Sequence, residues 1–126
     1  MAEILFKELS YLIVGAAIEI HKQLGPGFLE AIYHKALAYE LTLRGIPFEQ
    51  KKTLPVYYKG QLLGEYEADF VIDGRIILEL KAVSAINSAH EAQALHYLTA
   101  TGLQLAIIIN FGASSLQSKR IAKSLK

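Results

Sequence analysis

The sequence predicts an α/β fold: a mixed β-sheet with helices on one or both of its faces. Three observations predict it. The first third carries apolar residues at helical spacing, interrupted once by Gly25-Pro26-Gly27. Three extended segments follow, separated by the turn dipeptides Lys59-Gly60 and Asp73-Gly74. A helical stretch then separates the apolar run Ile76–Leu78 from the run Leu103–Phe111, an order that suits a right-handed crossover between parallel strands.

The elements follow in order. From Phe6 to about Leu24, Leu9, Leu12 or Ile13, Ala16, Ile20 and Leu24 mark one helical stripe. Tyr11, Val14 and Ile18 add a second apolar face, so this helix is expected to be covered on more than one side. A second helix from about Phe28 to Arg44 has Leu29, Tyr33, Ala36, Leu37 and Leu41 on its inner face. Gly45 and Pro47 end it. Phe48–Tyr58 is extended, with Lys51 and Lys52 as the exposed part of an edge strand. Gln61–Ile72 pairs with it antiparallel, and Asp73-Gly74 turns the chain into a third strand, Arg75–Lys81. The Ile-Ile-Leu centre of that strand suits a sheet interior buried on both faces. A third helix runs from about Ala89 to Ala100, with Ala92, Leu95, His96, Leu98 and Thr99 inward. Leu103–Phe111 is the last clear strand, and the tail from Ser115 adds a short strand or helix.

Composition bounds the function. A chain of 126 residues, 52% of them hydrophobic, is expected to form one domain over 1–126 with a substantial core, and not a disordered chain. With no cysteine, it has no disulfide, zinc-thiolate site or cysteine nucleophile. The start, MAEILFKELS, lacks the apolar core of a secretory signal. No apolar run approaches the roughly 18 residues that span a membrane, so a cytoplasmic setting and no membrane partner are expected. The net charge of +1 argues against a nucleic-acid-coating protein. The charge is uneven, however. The stretch from Gly112 to Lys126 holds Lys119, Arg120, Lys123 and Lys126 and no acid, a tail that is either a solvated terminus or a phosphate contact.

The chemistry concentrates in Ala68–Val83. In a strand, residues 79 and 81 point to the same face, so a buried strand ends in an acid and a base side by side, while Leu80 points the other way. Asp69 and Glu79 flank the 73–74 turn and fall near the ends of adjacent strands. Hard divalent ions take carboxylate oxygens, carbonyls and water, so Asp69 and Glu79, with the Leu80 carbonyl, are candidate ligands for Mg2+ or Mn2+. Such an ion activates water toward a phosphodiester. Lys81 is placed to orient that water or to stabilise charge on the phosphate. Glu30 reads either as a favourable first-turn acid or as an acid aimed at the same site, on the metal directly or through water. Gln93 is a candidate to hold a water, a ligand or backbone phosphate.

Four blocks carry a family resemblance. They are Gly27-Phe28-Leu29-Glu30-Ala31-Ile32-Tyr33; Gly64-Glu65-Tyr66-Glu67-Ala68-Asp69-Phe70; Ile76-Ile77-Leu78-Glu79-Leu80-Lys81-Ala82; and His90 to Leu98 followed by Ile109-Asn110-Phe111-Gly112. Together they resemble the GxxExxY family of the PD-(D/E)XK nuclease superfamily over nearly the whole chain. The resemblance implies a restriction-endonuclease-like, three-layer fold. It also implies metal-binding roles for Asp69, Glu79 and Glu30, and catalytic roles for Lys81, Glu30 and Gln93. Lys119 and Arg120 resemble a basic element that relatives carry after the last core strand, a nucleic-acid contact. Ala68 stands where relatives often have proline, and Glu67 where they often have a basic residue.

Other polar residues read as structural. His21 contacts or caps the end of its helix, and His90 orders the start of the third helix or moves a proton. His96 has no evident partner, and the histidines lack the spacing of a zinc motif. Tyr33 and Tyr97 read as packing residues with one polar hydroxyl. The leading expectation is a metal-dependent nuclease acting on DNA more readily than RNA, with a second copy or a protein partner supplying missing surface. The competing expectations are a non-catalytic nucleic-acid-binding or interaction module on a nuclease fold, and an enzyme acting on another phosphate substrate.

Overall fold

A computed structural model describes residues 6–123. Its elements are α1 (Lys7–Leu24), α2 (Glu30–Leu43), β1 (Phe48–Tyr58), β2 (Gln61–Ile72), β3 (Ile76–Lys81), α3 (Ser88–Thr101), β4 (Leu105–Asn110) and β5 (Gln117–Ala122). The sheet order is β1-β2-β3-β4-β5. β3 and β4 are parallel, as the crossover through α3 requires, and every other neighbouring pair is antiparallel. The undecided tail is therefore a strand. It closes the far edge of the sheet against β4, with Ile108 opposite Lys119 and Ile107 opposite Arg120.

Alternation along the central strands builds two cores. Ile76, Leu78, Leu80, Ile107 and Ile109 face α1 and α2, while Ile77, Ala106 and Ile108 face α3. Both central strands are thus covered on both sides, the condition their unbroken apolar runs predicted. Isolated helices of this length are marginal in water. Burial of Ile13, Ile20, Leu37 and Leu41, at about 1.5–3 kcal/mol each, is what fixes α1 and α2 on the sheet.

Three inner stripes differ from expectation. In α1, Ser10, Ile13, Ala16, Ala17 and Ile20 are buried, whereas Tyr11, Leu12 and Ile18 are exposed. The second apolar face is uncovered among the described residues, because α2 packs along one side only. In α2, Leu29 is the exposed residue before the first turn. In α3, Ala94, Tyr97 and Leu98 are buried, and Leu95 faces out. The contact row of α3 is rotated so that Ala94, Tyr97 and Leu98 pack with Ile77, Ala106 and Ile108 of the sheet.

Two local devices set the geometry of the site. Asp73 (φ 52°) and Gly74 (φ 65°) form a tight turn with both central residues left-handed, the hairpin type whose twist matches paired strands. Arg75 N–H closes it on Ile72 O at 2.9 Å. At the other end of the sheet lies Asn110, fully buried on the last residue of β4. Its Oδ1 accepts from Val83 N–H (2.9 Å) and Gly112 N–H (3.0 Å), and its Nδ2 donates to Val83 O and Gln117 Oε1 (2.9 Å each). Gly112 lies against the Ala82–Val83 backbone so closely that a Cβ there would sit 2.3 Å from Val83 O. This clamp fixes the chain directly after Lys81.

Candidate active site

The site forms where β2 and β3 part. Their ladder pairs Ile72 with Ile76, Val71 with Ile77 and Phe70 with Leu78, and stops there. In the next position the side chains take over the bonding. Asp69 N–H donates to Glu79 Oε1 at 3.1 Å, and Leu80 N–H donates to Asp69 Oδ2 at 2.7 Å. Each carboxyl thus satisfies the opposite strand's backbone at the mouth of the gap. Leu80 directs its N–H toward β2, so its carbonyl opens on the same side. Its side chain points into the α1–α2 core, as expected.

The strands also rotate at this point. Phe48 and Phe70 pack toward α2, whereas Leu54 and Ala68 pack toward α3, although all four are an even number of residues apart. The β1–β2 register runs Gln50↔Phe70, then Lys52↔Ala68, omitting only the Lys51–Asp69 pair between them. Lys51 holds φ 51°, a left-handed conformation in mid-strand. The reversal brings Asp69 out of regular alternation and into a cavity of about 230 Å3 shared with Glu30, Ala31, His34, Lys35 and Lys51. Of two larger cavities, the one of about 410 Å3 between the β1–β2 hairpin and α3 contains none of the expected site residues, and the one of about 680 Å3 along α1 contains Arg120 alone of them.

On the α3 side, Lys81 Nζ donates to Gln93 Oε1 at 3.2 Å. This joins two expected site residues from different elements. The start of α3 is fixed by a reciprocal cap: His90 N–H donates to Asn87 Oδ1 (3.0 Å), and Asn87 N–H donates to His90 Nδ1 (3.2 Å). His90 therefore orders the helix that carries Gln93. One turn beyond Gln93, Tyr97 is buried with its ring 5.3 Å from Tyr66.

On the α2 side, Tyr33 positions Glu30. Its hydroxyl donates to Gly25 O (2.6 Å) and accepts from Phe28 N–H (3.1 Å), and its ring stacks on Phe111 at 4.5 Å. The tyrosine thus ties the α1–α2 connection to the first turn of α2 and to the segment after β4. His21 supports the same corner through Ala113 O at 3.0 Å. His34, one turn after Glu30, stacks on Phe70 at 4.4 Å and bonds Gln50 Oε1 at 3.1 Å. Sequence reasoning passed over His34, yet its spacing of four from Glu30 is the signal that places both on one helix face.

The electrostatics match a site short of positive charge. Burial pushes Glu79 up to about 8, and the nearby Asp69 adds to the rise; the Asp69 N–H and Lys81 oppose it. Asp69 is also raised by burial, against the pull of Leu80 N–H, His34 and Lys81. Glu30 is raised by desolvation and then by Asp69, with Lys81 and His34 opposing. Burial, followed by Glu79 and Asp69, pushes the Tyr97 hydroxyl up to about 12, so it remains a neutral donor.

Among the described residues, no three His, Cys, Asp or Glu side chains converge closely enough to hold a metal ion on their own. The donor chemistry nevertheless fits a hard divalent ion: two carboxyls side by side, both raised by burial, and a carbonyl facing the same gap. Mg2+ usually takes one or two carboxylates and keeps several waters, so it does not need a third acid. Lys119 and Arg120 are not brought to this gap. They lie on β5, with β4 between them and β3, and their β4 partners belong to opposite faces of the sheet. Arg120 Nη1 donates to Ser10 Oγ of α1 at 2.6 Å.

A mixed central sheet flanked by helices is consistent with a restriction-endonuclease-like arrangement. The PD-(D/E)XK nuclease superfamily profile matches residues 7–121, and the chain belongs to that superfamily. Among solved structures, it resembles the crystal structure of SSO0001 with a TM-score of 0.61 and 20% identity, over 96% of this chain and 59% of that one. That likeness is one of fold, and this chain spans about three fifths of that protein's length. No curated protein matches the chain.

Proposed function

We propose that this chain is a GxxExxY-type nuclease that hydrolyses DNA phosphodiester bonds with Mg2+ or Mn2+ held by Asp69 and Glu79. The observation that carries the reading is the pair of carboxyls facing each other across the parted strands, with Lys81 tethered beside them by Gln93. Sheet formation alone gives no reason to bury two acids there, since apolar residues would close the ladder at lower desolvation cost.

When bound, the cation supplies Lewis-acid polarisation of the phosphoryl group and a water of lowered pKa. The chain's own residues do the rest. Asp69 and Glu79 each present the carboxylate oxygen not engaged by backbone N–H. The Lys81 ammonium, oriented by Gln93, offers its remaining N–H groups to the phosphate oxygens as negative charge grows on them. Glu30 orders water at the cavity side of Asp69, acting through that water rather than as a third direct ligand. The neutral Tyr97 hydroxyl is a donor near the two acids. With a net charge of only +1, the chain gains nucleic-acid-binding surface from a second copy or a protein partner.

The test is cleavage of supercoiled, linear, branched and single-stranded DNA, and of RNA, with Mg2+, Mn2+ or neither. Wild type is compared with Glu79→Gln, which keeps an oxygen for the Asp69 N–H, and with Lys81→Ala, each verified as folded. Metal-dependent cleavage by wild type alone is the expected result. Equal cleavage by both variants would sink the site. Neither cleavage nor metal binding by wild type would leave the non-catalytic binding module as the better reading.

A further inference from the structure

We propose that Lys51, with Lys35 beside it, seats a phosphate of the nucleic-acid backbone next to the scissile one. The inference rests on the nuclease reading above and extends it to how substrate is positioned. Lys51 takes its left-handed conformation where the β1–β2 hairpin reverses its facing, so the residue at which Asp69 is turned into the cavity also lines that cavity. β1 and β2 keep one register from Phe48↔Ile72 to Val56↔Gly64, with only the Lys51–Asp69 step omitted in that span, before a shift between Val56 and Tyr57. A lysine at φ 51° in mid-strand occupies a sparsely populated conformation, and such strain clusters where a side chain must be aimed. Here the strained residue lies directly across from Asp69 and lines the same cavity as Asp69, Glu30 and Lys35.

Charge points the same way. Among the described residues, Lys35 and Lys51 make no ion pair, whereas the next residue, Lys52, is paired with Glu49 at 2.9 Å. Two lysines thus share a small cavity with acids to which neither is paired. Lysines that line this cavity without pairing to its acids are placed to meet the adjoining phosphate, whose charge the cation does not neutralise. Lys51 and Lys35 would approach it from the α2–β1 side of Asp69, while Lys81 and Gln93 stand on the α3 side. Lys51 is therefore a substrate-positioning residue.

The test is binding of a short fluorescein-labelled DNA duplex by anisotropy across a salt series, with Ca2+ replacing Mg2+. Lys51→Ala is expected to weaken binding about 5–10-fold at low salt and to reduce the slope of log K against log salt by about 1, the loss of one phosphate contact. Lys51→Arg retains the wild-type slope. Lys51→Gly loses the slope yet melts no lower than wild type, since glycine relieves the left-handed strain; a merely structural lysine would not give that split. Lys52→Ala removes the same charge one residue away and leaves the slope unchanged. A wild-type slope in Lys51→Ala, or an equal loss in Lys52→Ala, overturns the proposal while leaving the nuclease reading intact if Lys81→Ala still abolishes cleavage. A wild type that neither binds nor cuts nucleic acid overturns both.

Discussion

On the proposed reading, Lys81 touches the phosphate and Gln93 holds Lys81. Lys81→Ala is expected to lower metal-dependent cleavage about 10²–10³-fold, the scale of losing one preorganised donor to developing negative charge. Gln93→Ala removes only the acceptor that orients it, a charge-assisted bond of about 1.5–3 kcal/mol, and is expected to cost about 10–100-fold. Single-turnover cleavage rates at saturating metal distinguish the two. Glu79 makes a prediction about stability. Its folded pKa, about 8, lies above the ordinary 4.5, so the folded chain binds this proton more tightly than the unfolded chain. The group's favourable contribution is complete below about pH 4.5 and is lost as pH rises toward about 8. In chelator, the melting temperature should therefore fall more steeply over that window in wild type than in Glu79→Gln. Parallel slopes would refute the burial argument.

The elements matter here chiefly through how their ends are tied. α2 carries Glu30 at its first turn, and the Tyr33 hydroxyl fixes that turn. α3 carries Gln93, and the Asn87–His90 cap fixes its start. Asn110 bonds both backbone groups of Val83 and so holds the strand that ends in Lys81. Asn110→Ala removes the partner of the Val83 N–H and C=O and of the Gly112 N–H, part-buried groups whose loss costs about 1–3 kcal/mol in all, and is expected to lower both melting temperature and cleavage. Gly112→Ala should do the same by a different route, since its Cβ would collide with Val83. Thermal unfolding followed by activity at a temperature where each variant is folded separates loss of fold from loss of the site. The acids, the lysine and the helices bearing their supports were legible in the sequence because each follows from local spacing: two residues in a strand, four in a helix. The Asn110 clamp was not, because Val83, the partner that ties it to the end of β3, is 27 residues away and nothing local announces it.

At the scale of the molecule, the sheet is deeply buried at its centre and thin at one end. β3 and β4 are sealed on both faces, whereas the distal part of the β1–β2 hairpin exposes Tyr57, Tyr58, Leu62 and Leu63. Hydrogen exchange should report this difference. Amides of Leu78 and Ile107 are expected to exchange only with global unfolding, and those near the Lys59–Gly60 turn orders of magnitude faster by local opening. Uniform protection would mean that another surface covers the hairpin. The overall α/β order was readable because apolar runs and turn dipeptides punctuate the chain in sequence. The reversal of facing at Lys51 and Asp69 was not, because strict alternation is the assumption by which strands are read, and this hairpin breaks it midway. The rotation of α3 was missed for a related reason: periodicity finds an apolar stripe, but the sheet selects which of several overlapping stripes it receives.

The parting of β2 from β3 also constrains how an inert form of the protein should be made. Asp69 and Glu79 serve as doorstops beside their proposed role as ligands, each holding an amide of the opposite strand that would otherwise go begging. Alanine at either position removes the ligand and the stop together, so a dead variant of that kind confounds lost chemistry with a sheet free to slip. Asparagine at 69 and glutamine at 79 keep an oxygen for the amide while withdrawing the negative charge. They are the forms in which uncut nucleic acid can be captured on an otherwise native frame.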